Sequence, residues 1–203
     1  ALATTTAVGV YKVAYTLGKL VFLAKTAFEF LAMPVFSEYH AKDDISNMRS
    51  IYVILAKWTL ILALPITLTM MLLPRLVIRI TFGTEYVAGG TALSILAIGF
   101  IIHVISGANT SCLSAMGYTK LVMWDVGGAA ILNIGLNVLF IPQYTEVGAA
   151  VATVLRYVIL NTVAGYQLYQ KNQIQPFSCR AFAILLSGTG SYILLLRLMR
   201  LTD

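Results

Sequence analysis

Ile51–Leu73 reads IYVILAKWTLILALPITLTMMLL, with a single charge, Lys57, and one proline, Pro65. A hydrocarbon core about 30 Å thick is crossed by roughly 20 helical residues. In lipid such a segment satisfies its backbone N–H and C=O groups only by coiling into a helix. The stretch therefore reads as a transmembrane helix. Five further apolar stretches, near Val13–Phe36, Thr91–Met116, Leu121–Ile141, Val147–Tyr169 and Ala181–Leu196, repeat the pattern between short polar or Gly/Pro-marked breaks. The expected fold is all-α: a polytopic membrane helix bundle of about six transmembrane helices, filling residues 1–203 as a single transmembrane domain.

Composition agrees with this reading. Of 203 residues, 59% are hydrophobic and only 11% charged, and the mean hydropathy is +0.85, far from the balance of a soluble domain. The chain starts Ala1-Leu2-Ala3-Thr4-Thr5-Thr6, without Met or a basic stretch before a short apolar run, so it reads as a piece of a longer protein without a visible signal peptide. Cys112 and Cys179 lie too far apart for a metal or redox spacing and read as buried thiols. The net charge of +6 is scattered over helix ends and interiors, with no aromatic-interleaved basic stripe, which argues against nucleic acid as a partner. Lys42, Arg49, Lys120, Lys171 and Arg180 follow odd-numbered spans, whereas Arg75 and Arg79 follow the second. By the positive-inside rule the odd-numbered loops are expected on the cytoplasmic side.

Local signals refine the picture. Pro34 and Pro65 each delete a backbone donor inside a span and favour a kink. Pro74-Arg75-Leu76-Val77-Ile78-Arg79-Ile80-Thr81-Phe82-Gly83 alternates basic and apolar groups and reads as a short interfacial helix ended by glycine. Gly127-Gly128-Ala129-Ala130 and Gly148-Ala149-Ala150 with Ala152 present small faces suited to close helix packing.

Ionisable residues inside the spans carry the chemical information, because each costs about 2.5–3.5 kcal/mol near the bilayer centre. Lys19, Lys25 and Glu29 load the first span, which is expected to face protein or a wet cavity. Lys25 and Glu29, four apart, are placed to pair. Lys57 in the second span and Arg156 in the fifth complete the cation set, and Lys12, Lys57 and Asp125 lie near enough to predicted ends to snorkel. His103 reads as a satisfied core histidine. Asn133 and Asn137 share one helical face and read first as interhelical hydrogen-bond formers. No H-E-x-x-H, Ser/His/Asp or Cys/His arrangement is present, so neither a catalytic residue, a metal nor a cofactor is assigned. Asp43-Asp44-Ile45-Ser46-Asn47, in the charged loop Ser37–Ser50, reads as an ordinary helix start.

The run Val8-Gly9-Val10-Tyr11-Lys12-Val13-Ala14-Tyr15, then Met33-Pro34-Val35-Phe36-Ser37, Phe82-Gly83-Thr84-Glu85-Tyr86, Ala92-Leu93-Ser94-Ile95-Leu96-Ala97, Gly117-Tyr118-Thr119-Lys120, Asn133-Ile134-Gly135-Leu136-Asn137, Ile141-Pro142 and Gly148-Ala149-Ala150-Val151-Ala152-Thr153 covers nearly the whole chain. This ordered succession resembles the polysaccharide-biosynthesis branch of the multidrug/oligosaccharidyl-lipid/polysaccharide exporter superfamily. The resemblance implies one lobe of a two-lobed transporter, here the C-terminal half of a longer flippase whose N-terminal lobe is missing from this sequence. It implies alternating access around a central cavity, and structural roles for Gly83, Tyr86, Asn133, Asn137, Pro142 and Gly148. Thr145-Glu146 after Tyr144 departs from the family, in which glycine often follows the aromatic, and puts the turn geometry there in question.

The implied cargo is a polyprenyl-phosphate-linked or diphosphate-linked sugar, moved across the cytoplasmic membrane. An anionic head group crossing low dielectric needs its charge offset, and Lys19, Lys25, Lys57 and Arg156 are the expected donors. Tyr15, Asn133 and Asn137, with Tyr11, add hydrogen bonding and stacking if they line the same cavity, and Glu29 is the acidic member of the candidate pathway. Three other readings stand beside this one: a drug or metabolite exporter of the same superfamily, a membrane-embedded glycosyltransferase or polymerase fragment, and a scaffold without transport activity.

Overall fold

The computed structural model describes residues 4–106 and 108–174, so the expected sixth span, Ala181–Leu196, lies outside the described residues, as does Cys179. Within them the chain is an all-α membrane bundle: α1 Thr5–Gly18, α2 Val21–Ala41, α3 Ile45–Leu72, α4 Pro74–Phe82, a 3-10 helix Thr84–Gly89, α5 Gly90–Ile105, α6 Asn109–Ala115 and α7 Thr119–Asn172. Four segments, Thr5–Leu23, Ile45–Leu72, Thr84–Ala115 and Thr119–Asn172, are long and apolar enough to cross a membrane. The chain is a multi-pass membrane protein.

α7 is two helices in one. Thr145 has φ 51 and ψ −123 inside it, and the contacts on either side show the chain folding back there. Gln167 Nε2 donates to Asp125 Oδ1 at 2.9 Å, and Lys171 Nζ stands 5.2 Å from the Tyr118 ring centroid. Residues 119–144 and 146–172 thus form an antiparallel helical hairpin, matching the two expected spans Leu121–Ile141 and Val147–Tyr169. Gly148 makes the tight turn possible: a Cβ there would collide with the Phe140 carbonyl.

Two expected continuous spans are broken instead. The first, Val13–Phe36, becomes α1 and α2, because the helix tightens at Lys19–Leu20 into i→i−3 bonds (Leu20 N–H to Leu17 O, 3.0 Å; Phe22 N–H to Lys19 O, 2.9 Å). Gly18 at this point lies against the Phe100 ring, where any side chain would clash. The third, Thr91–Met116, becomes α5 and α6. The Ser106 carbonyl released at the break is satisfied by the Tyr52 hydroxyl of α3 at 2.9 Å.

Helix ends follow their sequences. Asp44 caps α3, its Oδ1 accepting from Asn47 N–H at 3.1 Å and its Oδ2 from Asn47 Nδ2 at 2.7 Å. Asp43, with φ 55, is the left-handed residue that ends α2: its N–H bonds His40 O, and the next N–H reaches Tyr39 O. Gly117, φ 84, does the same for α6, with Tyr118 N–H to Leu113 O at 2.9 Å. The helix expected over Pro74–Phe82 is present, with Pro74 in its first turn and Gly83 at φ 96 after it.

Buried side chains form two main apolar clusters. One joins α1, α3, α5 and the second arm of α7 around Leu93, Leu96, Phe100 and Tyr157. The other joins α2, α3, α6 and the end of α7 around Phe36, Met48, Tyr52, Leu113 and Leu168. Phe30, Ile80, Trp124 and Ile131, each more than 70% exposed, point away from both, as expected for side chains whose solvent is lipid.

Candidate transport-pathway groove

A groove of about 380 Å³ opens between α1 and the two arms of α7. Three stripes wall it, each with helical spacing: Val8, Tyr11 and Tyr15; Asn133, Asn137 and Ile141; and Glu146, Ala149, Thr153 and Arg156. Tyr11 and Thr153 exchange a hydrogen bond at 2.9 Å, which ties α1 to the hairpin and fixes their relative level. The hairpin register, with Asp125 opposite Gln167 and Phe140 against Gly148, sets Asn133 at the level of Arg156 and Asn137 at that of Thr153.

The polar atoms here are unevenly satisfied. Asn137 Nδ2 donates to Asn133 Oδ1 at 3.1 Å, leaving Asn133 Nδ2 and Asn137 Oδ1 without a partner among the described residues, and Arg156 Nε is equally unpaired. A buried donor or acceptor without a partner costs about 1–3 kcal/mol, and all three of these residues are in the groove lining. Arg156 stacks over Tyr157, 5.1 Å from the ring centroid. Tyr11 and Tyr15 stack at 5.9 Å, and Lys19 Nζ stands 4.8 Å over the Tyr15 ring.

Lys25 and Glu29 occupy a different place, a buried polar chain inside the bundle. Lys25 Nζ lies 3.0 Å from Glu29 Oε1 and 3.1 Å from His103 Nε2. An ammonium has only donors, so Nε2 accepts and the proton of His103 sits on Nδ1, which donates to Asn161 Oδ1 at 3.1 Å. Asn161 Nδ2 then donates to Tyr157 O at 2.6 Å. Asn109 Nδ2 reaches Asn161 O at 3.4 Å, and the single Tyr52 hydroxyl proton is shared between Asn109 Oδ1 and the Ser106 carbonyl. The space beside Lys25 and Glu29 is about 10 Å³, room for about one water. His103 is a fully engaged core histidine.

The eight sequence candidates therefore divide. Tyr15, Asn133, Asn137 and Arg156 line one groove, and Lys19, exposed, stands over the Tyr15 ring but is not part of the lining. Lys25 and Glu29 neutralise each other inside the bundle, and Lys57 is exposed on α3, away from the groove lining. Glu146 and Thr153 were named from the sequence only within family motifs and not as site candidates, although both lie on the helical stripe that carries Arg156. Extending that stripe one turn at a time finds them.

Residues 1–89 match the family model described as polysaccharide biosynthesis protein. Relatives in Haloferax volcanii include the probable low-salt glycan biosynthesis flippase Agl15, 28% identical over 77% of this chain and 33% of its own length. The probable flippase AglR of the same organism is 26% identical over 85% of this chain and 37% of its own. An uncharacterized membrane protein of Methanocaldococcus jannaschii is 27% identical over 51% of this chain and 20% of its own. The matches thus take in between 20% and 37% of these relatives' lengths. No solved structure matches. Residues 1–89 are thus similar to the polysaccharide biosynthesis protein family, and most of the chain is similar to these two probable flippases.

Proposed function

We propose that this chain is the C-terminal lobe of a flippase that moves a lipid-linked oligosaccharide from the cytoplasmic to the outer leaflet of the cell membrane, acting as a transporter and not as a catalyst. The observation that carries the reading is the groove lined by Arg156, Asn133 and Asn137, whose Nε, Nδ2 and Oδ1 atoms have no partner among the described residues. A guanidinium beside amide groups suits a phosphate followed by sugar hydroxyls: charge-assisted bonds hold the first, and amides and tyrosines match the second. The N-terminal lobe supplies the opposite wall of the cavity, and a polyprenyl phosphate or diphosphate is the carrier.

Orientation follows from charge. Lys42, Arg49, Lys120 and Lys171 cluster at the end of the bundle holding the 42–44, 116–118 and 173 turns, whereas Arg75, Arg79 and the Thr145 turn lie at the other. The first end is cytoplasmic by the positive-inside rule.

The test uses the full-length protein in proteoliposomes, following a fluorescent lipid-linked sugar between leaflets. Arg156→Gln removes a charge-assisted contact worth about 1.5–3 kcal/mol, and translocation is expected to fall at least about tenfold at equal expression. Unchanged translocation in this variant refutes the reading. A preference for cationic drugs over lipid-linked sugars would instead favour an exporter of another cargo.

A further inference from the structure

The groove is charged oppositely at its two ends. Arg156 and Glu146 lie ten residues apart on one arm of the hairpin, which places them about 15 Å apart along the helix axis. Neither makes an ion pair among the described residues. Lys19 over Tyr15 adds a second cation beyond the Arg156 end. At the Glu146 end, Thr145 Oγ1 donates to Oε2 at 2.6 Å, while Oε1 accepts nothing from the described residues. One carboxylate oxygen is thereby engaged and the other is open among the described residues.

We infer that Glu146 is a specificity-determining residue: the cargo lies in the groove with its phosphate at Arg156 and its glycan at Glu146, and the carboxylate admits neutral or amino sugars while disfavouring acidic ones. This rests on the transport reading above. An ionised carboxylate only accepts hydrogen bonds, so it pairs with sugar hydroxyls or an ammonium and repels a uronate or sulfate brought against it. Like charges juxtaposed in a partly desolvated site cost enough to exclude a partner. Between the ends, the hydroxyls of Tyr11 and Thr153 and the Asn137 amide are neutral, so the polarity of the groove sets which way round the cargo lies.

A purely structural role is the alternative, since an acidic side chain in the first turn of a helix is stabilising in any case. Binding selectivity separates the two. The full-length protein in nanodiscs is titrated with a neutral hexose 1-phosphate and a hexuronic acid 1-phosphate. The wild type is expected to favour the neutral sugar by about tenfold or more. Glu146→Gln, which keeps the side-chain shape and its acceptor oxygen, is expected to erase most of that ratio by strengthening the uronate, whereas Arg156→Gln weakens both probes alike. A ratio that Glu146→Gln leaves unchanged overturns the inference and spares the transport reading. Failure of both probes to bind the wild type overturns both. A second variant, Glu146→Ala, guards against a special effect of glutamine: a common loss for both probes would assign the residue to structure alone.

Discussion

Thr145 sits at φ 51, ψ −123, a region that glycine enters freely and a β-branched residue enters only under strain. The Thr145 Oγ1 bond to Glu146 offsets part of that strain. The same residue is where the family resemblance implied a glycine and the sequence has threonine, so the strained position was legible before its dihedral angles were. Thr145→Gly removes strain of about 1–3 kcal/mol at a cost of about 0.5–1 kcal/mol in extra unfolded-chain freedom. A net gain of about 1 kcal/mol is expected, read as a higher thermal midpoint of the full-length protein in detergent; a lower midpoint contradicts the strain. The Lys25–Glu29 pair was equally legible, because i,i+4 spacing is local. Its third member, His103, was not, because 78 residues separate it from Lys25 and no local period brings them together.

Among the elements, the α7 hairpin shows which small residues matter. Gly148 is packed against the Phe140 backbone, whereas Gly127 and Gly128 have open space where a Cβ would stand. Small-residue motifs look alike in sequence, so packing was read into both. Gly148→Ala overpacks the turn and is expected to cost about 1–3 kcal/mol, while Gly127→Ala and Gly128→Ala, which meet no neighbour, are expected to be neutral or to stabilise by up to about 1 kcal/mol. Thermal unfolding of the three variants checks the contrast. The breaks at Lys19–Leu20 and after Ile105 were hidden from sequence for a related reason: both fall within apolar runs, and what holds each open lies on another helix, Phe100 for the first and Tyr52 for the second. At the α2–α3 corner the cap was readable. Donation from the Asn47 side chain, then its backbone N–H, holds the Asp44 carboxyl below the ordinary carboxylate range. A depressed folded value means that the cap's contribution is fully present above the unfolded value, about pH 4, and is lost as pH falls through the folded one. Amide exchange at Asn47 and Met48 is expected to accelerate on acidification below about pH 4 relative to Asp44→Asn, whose cap does not titrate; parallel curves for the two proteins contradict it.

At the scale of the whole bundle, the two apolar clusters are joined through the polar chain that runs from Glu29 by Lys25, His103, Asn161 and Asn109 to Tyr52, drawing on α2, α3, α5, α6 and α7. Such a chain gains little stability as a whole, because taking its charges out of solvent offsets their attraction, yet it punishes any incomplete version of itself. Lys25 is 6% exposed, so removing its counterion strands a charge in a medium that cannot screen it. Glu29→Gln and Lys25→Met are each expected to cost about 3–5 kcal/mol. The double variant leaves no stranded charge and is expected to recover about 2 kcal/mol relative to the sum of the singles. Thermal unfolding of all four proteins measures the coupling. Additive losses would mean that Lys25 and Glu29 act independently, and the chain would then be a set of neighbours and not one connected unit. A positive coupling makes the pair one unit on α2, tied to α5 through His103, and leaves Arg156 as the cation lining the groove.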